Sequence, residues 1–316
     1  MTARIFIDGE AGTTGLQIRA RLDSRADVEV ASLPDDKRKD PVARAEMLNG
    51  CDLAILCLPD AAAREVVALI DNPDARVIDA STAHRTADGW TYGFPELDAE
   101  QAGRIAEAKR VANPGCYALA SVAMLRPLIS AGLLPAGHAV TLNAVSGYSG
   151  GGRKMIESYE DENAADYTEA PFRIYGLGLE HKHVPEIEVH GGLEKRPLFM
   201  PSVGRFHQGM IVQLPLALWS LPGKPEPKDI HGALAAHYQD RRFVTVADLA
   251  DTAAMAGLEP EALNGTDELR LHVFANQAHE HAVVAALLDN LGKGAAGQAV
   301  HNMNLMLGLD EAVGLV

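Results

Sequence analysis

The sequence predicts an α/β protein in two parts: a doubly wound parallel sheet, then an α+β domain with a mixed or antiparallel sheet. Three observations predict it. Short apolar strands alternate with helix-patterned stretches through the first third of the chain. A run of glycines follows directly on the first strand. Late in the chain, Leu269–Phe274 and His281–Leu288 read as strands joined by a polar break at Ala275–Glu280, the mark of a hairpin and so of antiparallel pairing.

The first strand is Arg4-Ile5-Phe6-Ile7, and Gly9-Glu10-Ala11-Gly12-Thr13-Thr14-Gly15 comes immediately after it. A helix with Leu16, Ile18 and Leu22 among polar positions follows. Glycines between a strand and a helix let the backbone approach a pyrophosphate, and the helix start supplies free N–H groups. The spacing is GxxGxxG, so a plain turn is the competing reading. The next strand, Val28–Leu33, ends in Ser32 rather than the acidic residue that holds a ribose 2′-hydroxyl, and Lys37-Arg38-Lys39 lie just beyond. A hydroxyl with basic neighbours suits a 2′-phosphate, hence NADP; the alternative is a solvated loop. Cys51–Pro59 is a near-continuous apolar strand, as expected in a sheet covered on both faces. A helix over 61–69 and the strand Arg76–Ala80 continue the alternation. Ser81-Thr82-Ala83-His84-Arg85 then falls past a strand's carboxyl end, where such sheets bind ligands.

The stretch Asn113-Pro114-Gly115-Cys116-Tyr117 joins a strand ending in Val111-Ala112 to an apolar helix through Leu119–Leu125. Proline and glycine make a tight turn, which puts Cys116 at or near the first helical turn. The helix dipole favours a thiolate there, so Cys116 is either a nucleophile or a small buried hydrophobe. Further on, Val140–Val145 reads as a strand running into Ser146-Gly147-Tyr148-Ser149-Gly150-Gly151-Gly152-Arg153, a flexible loop or a ligand contact in which Arg153 clamps an anion. Residues 157–169 read as an exposed polar excursion. Glu180-His181-Lys182-His183-Val184-Pro185-Glu186 offers two imidazoles and a carboxylate, either general acid/base groups or three metal donors. Strands are expected at Pro197–Phe206 and Gly209–Leu216, loop and short helix over Asp251–Leu263, and a closing helix through Met306.

At 316 residues the chain is long enough for two cores. A composition 47% hydrophobic and 22% charged is that of a folded globular protein, and a formal charge of −15 with scattered basic residues argues against nucleic acid or an anionic membrane as partner. Three cysteines without CxxC spacing fit a reducing compartment, with Cys51 and Cys57 in apolar runs as core thiols. Nothing approaches the ~20 apolar residues of a membrane helix, so a cytoplasmic enzyme is expected.

Taken together, the glycine loop, Asp79–Arg85, Tyr92-Gly93-Phe94-Pro95-Glu96-Leu97, Asn113–Tyr117, Ser146–Arg153, His181-x-His183-x-Pro185-Glu186-Ile187 and Gly294-Ala295-Ala296-Gly297-Gln298-Ala299-Val300 resemble the N-acetyl-γ-glutamyl-phosphate reductase family in its short form. They are more distantly similar to aspartate-semialdehyde dehydrogenases. One departure is visible: Leu119 stands where the family has threonine. The resemblance implies a Rossmann-type domain of 1–115 with 293–316 returning to it, and a catalytic and dimerisation domain of 116–292. It implies NADPH-dependent reduction of an acyl phosphate to an aldehyde and phosphate through a thioester on Cys116. His181 or His183 would serve as acid/base, oriented by Glu186. The nucleotide would be held by Gly9, Gly12, Thr13, Thr14, Gly15, Ser32, Lys37, Arg38, Ser81, Gly297 and Gln298. The small-molecule substrate would be held by Asn113, Ser149, Gly150, Arg153 and Arg205. No resident metal is implied, and the assembly would be a homodimer or homotetramer. From other classes come a zinc hydrolase on His181, His183 and Glu186, and a catalytically silent dinucleotide-binding regulator.

Overall fold

A computed structural model describes residues 2–316, which fall into two compact units. The first comprises the chain up to Pro95, Ala99–Gly115 and Ala295–Val316; the second comprises Glu96–Asp98 and Cys116–Gly294. The main run of the second unit thus begins at Cys116, and Glu96, Leu97 and Asp98 also go with it.

In the first unit the strands are β1 (Ala3–Asp8), β2 (Val28–Ala31), β3 (Leu53–Leu56), β4 (Arg76–Asp79), β5 (Thr91–Tyr92) and β6 (Arg110–Ala112). They form one sheet in the order β2-β1-β3-β4-β6-β5, with every neighbouring pair parallel. Between them run α1 (Thr13–Leu22), α2 (Pro41–Gly50), α3 (Asp60–Val67) and α4 (Gln101–Glu107). Alternation along β1 explains the two-faced core. Ile5 and Ile7 pack with Ile18, Leu22 and Ile105 on one side, whereas Phe6 packs with Leu48 and Val66 on the other. The strand order reverses at β1, so a crevice opens beyond the carboxyl ends of β1 and β3.

The second unit opens with α5 (Cys116–Ser130) and continues through β7 (Thr141–Gly147), α6 (Gly152–Glu160), β8 (Phe172–Ile174), α7 (Val184–Gly191), β9 (Leu198–Gly204) and β10 (Met210–Ala217). Then follow α8 (Pro227–His237), β11 (Val244–Val246), α9 (Leu249–Ala254), β12 (Leu269–Asn276) and β13 (His281–Leu288). Its seven strands are ordered β11-β12-β13-β10-β7-β9-β8. The sheet is mixed: β11 with β12 and β7 with β9 run parallel, and the remaining pairs run antiparallel. The β12–β13 hairpin closes on a short helical turn at Gln277–His279, with Glu280 at φ 51°. Finally α10 (Gly297–Leu307) returns to the first unit, where Val300, Met303 and Met306 join the Ile5–Ile7 side of the core.

Two elements differ from expectation. The glycine-rich stretch after β7 is not a free loop: Tyr148–Gly151 forms a short 3-10 turn that leads into α6, with Gly152 at φ 71° permitting the change of direction. Residues up to Glu160 of the supposed excursion are helical for the same reason. Ser158 and Tyr159 are buried, and the Tyr159 ring stacks on Tyr148 at 4.9 Å.

Helix α5 carries the second core. It is apolar all round and almost wholly buried, as a helix in the middle of a domain must be. Pro127 inside it has no N–H to give the Ala123 carbonyl, and the buried Tyr238 hydroxyl donates to that carbonyl instead, at 2.8 Å. Burial pushes the Tyr238 phenol well above its ordinary pKa, so it stays a donor.

Candidate active site

Cys116 is the first residue of α5 and is half-buried. The next residue, Tyr117, stands in a cluster of aromatic and imidazole rings. The Tyr117 ring meets His181 edge-on at 5.7 Å and His183 at 6.0 Å; the two imidazoles lie 4.7 Å apart at 82°. Phe199 packs against Tyr117 and His181 at 5.3 and 5.2 Å. Tyr175 completes the group, its hydroxyl donating to Tyr117 Oη at 3.2 Å while Tyr117 donates to the Ser202 carbonyl at 3.1 Å. Burial is the main cause that raises both phenols, Tyr175 to about 12, and negative charge on Cys116 raises both further. That charge couples the sulfur to both hydroxyls.

The imidazoles have defined places. His183 is the N-cap of α7, and its backbone N–H donates to His181 Nδ1 at 3.1 Å. An occupied Nδ1 puts the proton of the neutral His181 ring on Nε2, a donor. Glu186 lies in the first turn of α7 and is 1% exposed. Gly294 lies against Cys116: a Cβ built there would stand 2.9 Å from Cys116 Cβ, so only glycine fits.

The remaining expected substrate residues lie elsewhere. Asn113 is buried in the first unit, where its Nδ2 donates to the Ala295 carbonyl and its Oδ1 accepts from Asn302; both ends of its side chain serve the return of α10. Ser149 is buried and accepts from Asn290 at 3.0 Å. Gly150 is exposed. Arg153 is 85% exposed and pairs with Glu157 one helical turn on, and Arg205 donates to the Thr168 carbonyl. The expected clamps thus have partners of their own, none in the histidine cluster.

In the first unit the glycine loop shows why it is glycine. At Gly9, φ is 88° and a Cβ would fall 2.4 Å from the Cys57 carbonyl oxygen; at Gly15 it would fall 2.5 Å from that of Gly9. Gly12 is the N-cap of α1, which has no capping side chain, so the first-turn N–H groups of Thr13, Thr14 and Gly15 face no side-chain acceptor. A cleft of about 440 Å³ opens beside it, lined among others by Gly9, Leu33, Arg38, Lys39, Arg44 and Leu58. Ser32 joins Arg38 at its rim through Glu10, whereas Lys37 is exposed and does not line the cleft. Ser81 is buried, its N–H and Oγ both donating to the Asp79 carboxylate, which also bonds His84 Nδ1 at 2.6 Å. Gly297 and Gln298 are buried at the start of α10, and Gln298 Oε1 has no hydrogen-bond partner among the described residues. A spare buried acceptor, an uncapped helix start and a basic cleft fit a pyridine dinucleotide.

Sequence reasoning gave no site role to Tyr117, Tyr175, Gly294, Glu10 or Arg19, and counted Lys39 only among the basic neighbours of Ser32. Arg19 and Glu10 carry a weak signal, being charged residues of the glycine loop and the helix it starts. Tyr175 carries none, since only the fold brings it to Tyr117. Among the described residues no group of three His, Cys, Asp or Glu is arranged to hold a metal ion.

Residues 4–105 match the semialdehyde dehydrogenase NAD-binding domain, and residues 116–290 match the semialdehyde dehydrogenase dimerisation domain. Among curated proteins, the chain is 54% identical over 308 residues to an N-acetyl-gamma-glutamyl-phosphate reductase of Burkholderia cenocepacia, with 98% of each chain covered. It is 53% identical to N-acetyl-gamma-glutamyl-phosphate reductase 2 of Pseudomonas putida, covering 99% of each. A third relative of that name, from Chelativorans sp., is 56% identical over 97% of this chain and 99% of its own. The fold is shared with aspartate semialdehyde dehydrogenase II of Vibrio cholerae at a TM-score of 0.70 and 13% identity, covering 98% of this chain and 99% of that one. Full-length identity above half, in a chain whose two units match both domains, decides the family: the protein belongs to the N-acetyl-γ-glutamyl-phosphate reductases.

Proposed function

We infer that the chain catalyses the NADPH-dependent reduction of N-acetyl-γ-glutamyl phosphate to N-acetyl-L-glutamate 5-semialdehyde and phosphate, a step of L-arginine biosynthesis. The observation that carries the chemistry is Cys116 at the start of a buried helix, followed directly by Tyr117, whose ring packs against both imidazoles and whose hydroxyl accepts from Tyr175. The Cys116 sulfur attacks the acyl carbon while its proton passes to an imidazole, for which we assign His183. The bond from carbon to phosphate oxygen breaks, and phosphate leaves with the electron pair and that proton. A thioester remains on Cys116. NADPH, when bound, supplies the hydride that reduces the thioester carbon. His181 Nε2–H donates to the oxygen as it gains charge, a role its tautomer supports. The carbon–sulfur bond then breaks, the aldehyde leaves, and the thiolate regains a proton from water. Glu186, buried in the first turn of α7, orients the histidine segment.

For the nucleotide, the loop Gly9–Gly15 and the start of α1 would take the pyrophosphate, Ser32 and Arg38 the 2′-phosphate, and Ser81, Gly297 and Gln298 the nicotinamide end. For the substrate, Arg153 and Arg205 would turn their exposed guanidiniums from Glu157 and the Thr168 carbonyl to its anionic groups, with Ser149 and Gly150 just before Arg153 in the chain.

The same reading makes the enzyme a homo-oligomer. One face of the mixed sheet carries exposed Phe172, Ile174 and Met200 with Asn143, Val145 and Ile211 around a cleft of about 310 Å³. A second copy is the occupant that the dimerisation-domain match supports. Among the described residues no helix is long and apolar enough to cross a membrane. We place the enzyme in the cytoplasm, where its three free thiols stay reduced.

The reverse assay tests the substrate: N-acetylglutamate semialdehyde, phosphate and NADP⁺ should yield nicotinamide reduction that stops when phosphate is omitted. Faster turnover with aspartate semialdehyde would overturn the assignment.

A further inference from the structure

One carboxylate sits among the groups expected to bind phosphate. Glu10 lies in the glycine loop with its side chain 15% exposed. Its Oε2 accepts from Ser32 Oγ at 2.9 Å and from Arg19 Nη1 at 2.9 Å, and its Oε1 accepts from Arg38 Nη2 at 3.0 Å. Arg19 also donates to Ser32 Oγ at 2.6 Å, so the four side chains close on one another. Asp23 and Asp35 hold the outer sides of Arg19 and Arg38, at 3.1 and 2.9 Å. Glu10 and Arg38 both line the cleft described above.

A serine hydroxyl and two guanidiniums are a donor set for a phosphate monoester dianion. Here that set already holds an anion. An entering 2′-phosphate must draw the two arginines away from Glu10, and it then lies beside a like charge in a partly sheltered site. A ribose 2′-hydroxyl meets no such conflict, because a carboxylate at this place can accept its hydrogen bond.

We propose that Glu10 determines the nucleotide selectivity of the site: its carboxylate competes with the 2′-phosphate for Arg19, Arg38 and Ser32, narrowing the margin between NADPH and NADH. This rests on reading the first unit as an NADP(H) site. Glu10 is the acidic group that dinucleotide sites usually place at the end of the second strand, supplied here from the glycine loop. Ser32, which stands at that strand end, binds it in place.

Calorimetric binding of NADP⁺ and NAD⁺ to the full chain tests this without turnover. Glu10→Gln keeps the length and one acceptor while removing the charge. It should bind NADP⁺ about tenfold more tightly, the size of a single screened like-charge contact, and NAD⁺ no more tightly than the unaltered enzyme. Arg38→Gln should cost more NADP⁺ affinity in the Glu10→Gln background than alone, because the arginine is then no longer shared. Unchanged or weakened NADP⁺ binding in Glu10→Gln would overturn the proposal and leave Glu10 as a prop for the arginines. If the unaltered enzyme bound neither dinucleotide, the NADP(H) reading would fall and the proposal with it.

Discussion

Gly294→Ala isolates the placement of the sulfur. The added Cβ would stand 2.9 Å from Cys116 Cβ, 3.1 Å from the Asp289 carbonyl oxygen and 3.6 Å from Cys116 Cα. Carbon atoms pack at about 3.5–4.0 Å, so the first contact is more than half an ångström too close. The Asp289 carbonyl cannot yield, since it accepts the Gly294 N–H at 2.9 Å. Cys116 must therefore retreat and carry its sulfur with it. Overpacking of this kind costs about 1–3 kcal/mol of stability. Displacing a reacting atom by about 1 Å costs about a hundredfold in rate, and the shift here is somewhat smaller. We expect kcat to fall between tenfold and a hundredfold, on the order of 1.4–2.7 kcal/mol of barrier. The urea midpoint should drop modestly, and nucleotide affinity should stay unchanged because the glycine loop is untouched. Steady-state kinetics with equilibrium unfolding on the same preparation separates these effects. A variant with full kcat and reduced stability would refute the reasoning that Gly294 sets the position of Cys116.

Two further outcomes follow from buried groups. Tyr238→Phe leaves the Ala123 carbonyl without its donor beside Pro127, so the second unit should lose about 1–3 kcal/mol by urea unfolding while kcat stays within twofold; an unchanged midpoint would contradict that role. His237 and His272 have pKa values lowered chiefly by burial, so the unfolded chain binds their protons more strongly than the folded one. Their contribution to stability is present above the ordinary value of 6.5 and is lost as the pH falls below it, and His272→Phe should lessen that loss; a midpoint that rises on acidification would contradict the sign.

Much of the architecture was legible because it depends on local pattern. The β1–loop–α1 order, the turn before Cys116 and the His181–His183 pair are each contained in a few consecutive residues. The α6 helix was not legible, because three glycines argue for a loop and only the stacking of Tyr159 on Tyr148 and the burial of Ser158 overrule them. Tyr175 and Gly294 escaped for a different reason: their meaning lies in what they touch, and no spacing rule links them to Cys116. Asn113 was expected to meet substrate from the family resemblance. Its side chain turns instead to Ala295 and Asn302, which belong to the end of the chain. Glu10 was visible as a letter in the glycine loop, yet its bonds to Ser32 and Arg38 depend on β2 lying beside β1.

The central claim is that one sulfur of three is the nucleophile, and alkylation tests it most directly. Burial pushes Cys51 up to about 11 and Cys57 up to about 12, the latter also raised by the Asp79 and Asp8 carboxylates, so neither holds appreciable thiolate near neutral pH. Iodoacetamide should therefore add one label per chain, on Cys116, with activity lost in proportion and the acyl phosphate protecting. Label appearing first on Cys51 or Cys57, or full activity in a chain labelled at Cys116, would contradict the account.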